Sequence, residues 1–401
     1  MTSTQELSSR LPSLTGLRFV GATFVFVAHG VNLFLFADPS VQKNYSFWAG
    51  SNLGVLGVCF FFVLSGFVLT WSARPGDTPR TFWRRRFWRL VPNHVVVYLV
   101  ALGLLLLAGT APTLKQGITH LFLLQSWIPD NTLFFPSVNG ITWSLSVEVF
   151  FYACFPLLIL LVTKIRPARL WLWAGVVAGT ALLMPWVSVH LVADAPASLF
   201  PTIRVSWPQY WFLYFFPVVR ALEFTLGMIL ARIVQSGRRV GFGVLPAAVL
   251  VAAAYLASLY VPQEYTFAAI YLVPVGMLIA ALAVADIGGR GTFLATRPWV
   301  WLGEITYAFF LTHLLVQFYV HGAFLGQWGG TGAYQRSEQW STPVGLLFLG
   351  TLFVFCIGLA WLLYTLVQVP ATRRWSKPKA ARLAAEAARR DAAQQLTGTR
   401  S

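Results

Sequence analysis

The chain alternates long apolar runs with short polar joins. Runs close to the length that crosses a bilayer as a helix, about 20 residues, lie at 15–36, 48–72, 90–109, 143–165, 170–190, 209–235, 242–262, 266–286, 298–322 and 343–369. A shorter apolar stretch, Ile118–Ile128, is expected as a re-entrant or interfacial segment. Pro and Gly punctuate the joins, among them Pro75-Gly76, Pro112, Pro129, Pro167, Pro208, Pro262 and Pro343. The pattern predicts an all-α fold, a polytopic bundle of about ten transmembrane helices.

Composition agrees. Of the 401 residues 57% are hydrophobic and 10% charged, whereas soluble domains carry roughly 25% charged residues. No polar stretch is long enough for a soluble domain, so a multi-pass place in the cell membrane is expected. Cys59, Cys154 and Cys356 sit in apolar runs and form neither a disulfide framework nor a metal pattern. The first apolar run contains Arg18 and His29 and lacks a small-residue cleavage site, which argues against a removable leader.

The net charge of +16 would point to nucleic acid in a soluble protein; here its distribution decides. With ten spans and the N-terminus inside, segments 1–18, 72–90, 164–169, 232–239, 286–297 and 370–401 fall on the cytoplasmic side and hold 24 of the 29 Lys and Arg. That is the positive-inside bias. It predicts cytoplasmic termini and a lipid bilayer, not nucleic acid, as partner. Residues 1–370 form the membrane unit, and 371–401 a basic, alanine-rich cytoplasmic tail. Its Ala380–Ala393 stretch is expected to lie as a helix on anionic lipid.

Ionisable side chains within spans are costly and usually functional. Here they are Arg18, His29, Glu148, Arg220, Glu223, Glu304 and His313. Arg18 and His29 are eleven residues apart, which puts them within roughly 20° of one helix face and about 16 Å apart along it. Counting from span ends places His29, Glu148 and His313 at one depth in the outer half of the bilayer. A lone His can also serve as interhelical glue, and Arg220 and Glu223, three apart, can pair with each other. Arg84, Arg85, Arg86 and Arg89 are interleaved with Trp83, Phe87 and Trp88. They read either as positive-inside anchoring or as a phosphate clamp.

Five motifs in order carry a resemblance. They are LPSLTGLRFVGATFVFVAH (11–29), CFFFVLSGFVLT (59–70), RRRFWRLVP (84–92), ITWSLSVEVFFYACFPLL (141–158) and LGEITYAFFLTH (302–313). Together they resemble the acyltransferase-3 family of integral-membrane O-acyltransferases, over roughly residues 11–370. The match includes that family's Arg-x10-His pair, here Arg18 and His29, and the acidic position of its WSLSxExxFY signature, here Glu148. Thr306 stands where the family has Ser. Gln368 precedes Pro370 where members often carry Glu, and the hydrolase-like domain of longer members is not seen.

The resemblance implies an acyl-CoA co-substrate, no bound cofactor, and His-dependent transfer to a hydroxyl of a sugar, glycolipid, polysaccharide or secondary metabolite. The TGLRF opening is most similar to actinobacterial members that acylate macrolide antibiotics. Residues 1–370 are then a membrane acyltransferase domain. Arg18, Arg86 and Arg89 would hold the CoA phosphates, with the pantetheine arm along the Arg18–His29 stripe. His29 is the expected general base, with Glu148 orienting its imidazole. Trp143, Tyr307 and His313 are expected to contact substrate, Trp143 or Tyr307 serving as oxyanion donor. No metal is expected. The rival reading is a proton-coupled transporter using His29, Glu148 and His313 as a relay.

Overall fold

The computed structural model describes residues 11–376 apart from 75, 135–136, 201, 239, 268 and 325–339. Among these the regular elements are helices, and β pairing is confined to two isolated bridges, Phe36 with Trp340 and Ala197 with Ser206. In chain order the helices are α1 (Pro12–Gly30), α2 (Pro39–Ala49), α3 (Ser51–Trp71), α4 (Pro79–Leu107), α5 (Leu114–Leu121), α6 (Trp143–Lys164), α7 (Leu170–Leu191) and α8 (Trp207–Tyr210). There follow α9 (Pro217–Gln235), α10 (Val244–Ser258), α11 (Gln263–Thr266), α12 (Ala269–Ile287), α13 (Arg297–Phe324), α14 (Thr342–Leu363) and α15 (Val369–Trp375).

Among the described residues nine helical segments are long and apolar enough to cross a membrane. The tenth expected span, 242–262, is the shorter α10 of 15 residues, about 22 Å against a hydrocarbon core of about 30 Å. It nevertheless travels from one end of the bundle to the other. Gln235 Nε2, ending α9, bonds Thr70 O at the end of α3 (3.5 Å), whereas Ser258 O, ending α10, accepts from Asn52 Nδ2 at the start of α3 (2.9 Å). The stretch Ile118–Ile128 does not cross. It is the end of α5, opened by a Thr113–Gln116 capping box, followed by a single turn at Gln125–Trp127.

The helix ends follow local chemistry. Pro12 opens α1, where its missing N–H costs nothing, and the Asp286 carboxylate from α12 takes the next donors. Ser13 N–H donates at 2.9 Å and Ser13 Oγ at 2.5 Å. Thr78 and Pro79 start α4, and Asp77 binds the Arg85 guanidinium through two bonds of 2.9 and 2.6 Å. The ion pair holds the Asp77 carboxyl below its usual range. Small residues then let the helices approach closely. A Cβ on Gly66 of α3 would lie 1.9 Å from Phe224 O of α9, and one on Gly303 of α13 would lie 2.0 Å from Thr15 O of α1.

The boundary at residue 370 falls inside structure, because α15 runs to Trp375 and rests on α4. Trp375 O accepts from Arg84 Nε (2.8 Å), and the Trp375 ring lies 4.7 Å from that of Trp88. The Ala380–Ala393 stretch lies outside the described residues.

Candidate active site

Crossing at Gly303 locks α1 against α13 and brings His29 to His313. His313 Nδ1 lies 2.8 Å from Phe310 O, and His29 Nδ1 lies 3.1 Å from His313 Nε2. A carbonyl only accepts, so His313 must carry its proton on Nδ1, and its Nε2 is an acceptor. His29 therefore donates through Nδ1, and its own Nε2 keeps the lone pair. This tautomer assignment follows from the bonding network. His313 is fully buried, its ring stacked at 14° on Phe309. One turn further along α13, Gln317 Nε2 donates to Phe26 O at 2.9 Å.

His29 faces a cavity of about 690 Å³ whose wall includes Asn52, Asn139, Trp143, Tyr210 and Tyr214. Trp143 is buried and lines this cavity. The chamber joins an aromatic surface to scattered amides and hydroxyls, the lining of a site for a molecule with both apolar and polar parts.

A second cluster lies deeper, around Arg18. The charges of Arg89, Arg86 and Glu148 and the phenol of Tyr152 are all within its electrostatic reach. Arg86 Cζ sits 5.5 Å from the Phe82 ring centre and 5.8 Å from that of Tyr152. Among the described residues no carboxylate oxygen comes within 4.0 Å of Arg18, Arg86 or Arg89. Arg85 is different, being held by Asp77. Three unneutralised guanidinium groups around one half-buried carboxylate leave an excess of positive charge, the chemistry of an anion site.

Glu148 belongs to this cluster and not to the histidines. Its carboxylate accepts from Tyr152 one turn along α6, and the expected pairing with His29 is replaced by His313. The reason lies in how α6 begins. A count from the membrane edge presumes that α6 starts there, but Asn139 is buried and donates to Leu311 O (3.1 Å), so the helix starts level with His313. Five residues then carry Glu148 a further 7–8 Å or so inward. Tyr307 also lies with the arginines. Its hydroxyl donates to Leu90 O (2.8 Å), so its proton is already committed.

Tyr152, Asn139, Tyr210 and Tyr214 were not anticipated from the sequence. Tyr152 alone had a signal there, as the closing Tyr of the WSLSxExxFY signature, four residues from Glu148. Gln368, noted as a departure, accepts from Asn93 Nδ2 at 2.8 Å in a buried amide pair. Arg220 and Glu223 pair with each other at 2.9 Å, fully buried. Glu304 is exposed and accepts from the Tyr364 hydroxyl at 3.4 Å. Among the described residues no group of three His, Cys, Asp or Glu side chains is arranged to hold a metal.

The described residues thus form a polytopic helix bundle with a histidine on the wall of a large cavity. The chain belongs to the family described as "Acyltransferase domain", whose model matches residues 11–365. It is 41% identical to acyltransferase MdmB of Streptomyces mycarofaciens over 371 residues, 91% of this chain and 92% of that one. It is 30% identical to peptidoglycan O-acetyltransferase OatA of Listeria monocytogenes over 207 residues, 47% of this chain and 30% of that longer one. O-acetyltransferase OatA of Staphylococcus aureus is 29% identical over 179 residues, 40% and 26% of the two chains. No solved structure matches. The protein is a multi-pass membrane acyltransferase.

Proposed function

We propose that the protein moves an acyl group from cytoplasmic acyl-CoA to a hydroxyl of a sugar-bearing acceptor, a macrolide antibiotic being the favoured class. His29 Nε2 is the general base. The observation that carries this is the bonding chain Phe310 O, His313, His29, which leaves an unprotonated nitrogen on the chamber wall. Identity to acyltransferase MdmB along nearly the whole of both chains supports acyl transfer, the TGLRF opening supports the acceptor class, and the 24 basic residues on one side support cytoplasmic termini.

On this reading Arg18, Arg86 and Arg89 bind the CoA phosphates, and Glu148, itself held by Tyr152, partly offsets the positive charge around Arg18 and Arg86. The pantetheine arm spans the roughly 16 Å of α1 between Arg18 and His29. His29 Nε2 takes the acceptor's hydroxyl proton as its oxygen attacks the thioester carbon. The Trp143 N–H is the donor available for the oxyanion. When the intermediate collapses, the C–S bond breaks and the CoA thiolate takes the proton from His29. Throughout, His313 Nε2 goes on accepting from His29 Nδ1, so the base gains and loses its proton without moving.

A transport relay would need Glu148 beside the two histidines, whereas its carboxylate is bonded to Tyr152. The test is turnover of radiolabelled acyl-CoA by purified protein in detergent with a glycosylated macrolactone. Label appearing in the acceptor only when His29 is present supports the proposal. Label remaining on CoA with wild-type protein across a panel of glycosylated acceptors removes it.

A further inference from the structure

The chamber's aromatic wall is backed by a buried cation. Trp143 and Tyr214 line the cavity with ring centres 4.7 Å apart, and Tyr210 stacks on Tyr214 at 5.5 Å and 9°. Behind them Phe62 meets Trp143 edge-on at 6.2 Å. Arg220 lies at 5.1 Å from the Phe62 ring centre and 5.4 Å from that of Tyr214. The rings on either side of Trp143 thus share one guanidinium.

That guanidinium is fixed from two further directions. Nη1 donates to Phe267 O at 2.5 Å, tying it to the loop ahead of α12, and Nη2 lies 2.9 Å from Glu223 Oε2. Both side chains are fully buried. Buried ion pairs are often no more stabilising than apolar residues of similar volume, so stability alone does not account for this one. Its geometry does: a planar cation binds an aromatic face, and Arg holds such a position better than the compact ammonium of Lys.

We propose that Arg220, held by Glu223 and Phe267 O, is a positioning residue for acceptor recognition that fixes the Trp143–Tyr214–Tyr210 wall through Tyr214 and Phe62. The inference rests on the reading of the chamber as the acceptor site. The donor arginines lie elsewhere, so the effect falls on the acceptor.

The experiment uses full-length protein labelled with 5-fluorotryptophan, the Trp143 resonance being assigned by its loss in Trp143→Phe. It compares wild type with Arg220→Lys and with Arg220→Met/Glu223→Leu, which removes both charges at similar volume. Both variants should be monodisperse, with the Trp143 resonance shifted or split. The acceptor KM should rise by about tenfold or more, the order expected for lost cation–π contacts, with the donor KM within twofold. An unmoved Trp143 resonance, an unchanged acceptor KM, or failure of both variants to give monodisperse protein overturns the inference. If wild type transfers no acyl group, the functional reading fails, and the fluorine resonance still decides whether Arg220 braces the wall.

Discussion

His29 and His313 meet nitrogen to nitrogen, Nδ1 to Nε2 at 3.1 Å, from positions 284 residues apart in the chain. The partner of the proposed base is thus a neutral ring anchored on a backbone carbonyl. It fixes orientation and tautomer, and it places no full negative charge beside the imidazolium that forms.

His313→Leu should therefore lower kcat on the order of a hundredfold with the donor KM unchanged. His313→Gln should recover much of the loss, because an amide oxygen also accepts from His29 Nδ1–H. The pH–rate profile should shift in the Leu variant and return in the Gln variant. Equal kcat for wild type and Leu would leave His313 a packing residue.

Glu148→Gln should act on the donor. Losing the carboxylate removes the negative charge within electrostatic reach of Arg18 and Arg86, so the acyl-CoA KM should change severalfold while kcat at saturation stays close to wild type. Tyr152→Phe should move the same parameter by less. A kcat collapse at unchanged donor KM would return Glu148 to the proton-transfer step.

Among the α4 arginines the effects should differ. Arg86→Ala with Arg89→Ala should raise the donor KM by tenfold or more and weaken its salt dependence. Arg85→Ala should leave it within about twofold, since Arg85 is occupied by Asp77. Steady-state titrations of acyl-CoA at two salt concentrations check this. An equal loss in both would make the segment a uniform basic patch.

Gly303→Ala should destabilise the bundle by ~1–3 kcal/mol, the usual cost of overpacking, because its Cβ would meet Thr15 O at 2.0 Å. Gly350→Ala on α14, with nothing within 4 Å of the added carbon, should be neutral or slightly stabilising. Thermal unfolding in detergent followed by gel filtration compares them. Identical midpoints would show that α1 and α13 are free to separate.

Much of this was legible beforehand. Span positions follow from apolar length, and the Arg18–His29 stripe from helical pitch. Glu148 was misplaced because its depth depends on where α6 starts, and Asn139 sets that through a bond to Leu311, 172 residues away. The His29 tautomer was out of reach for the same reason: it is decided by Phe310 O on another helix. Tyr307 shows the converse. Its motif made it a substrate contact, but its proton is given to Leu90 O.

Arg18 and His29 share a single uninterrupted helix, α1, so their separation cannot adapt to the donor. On the proposed mechanism α1 is a molecular ruler. A truncated thioester such as acetyl-N-acetylcysteamine engages the histidine end alone and forfeits the anchorage at the arginine end. Adding the detached nucleotide fragment of CoA should occupy the arginines without restoring the rate, because the advantage comes from joining head and thioester in one molecule of matching length.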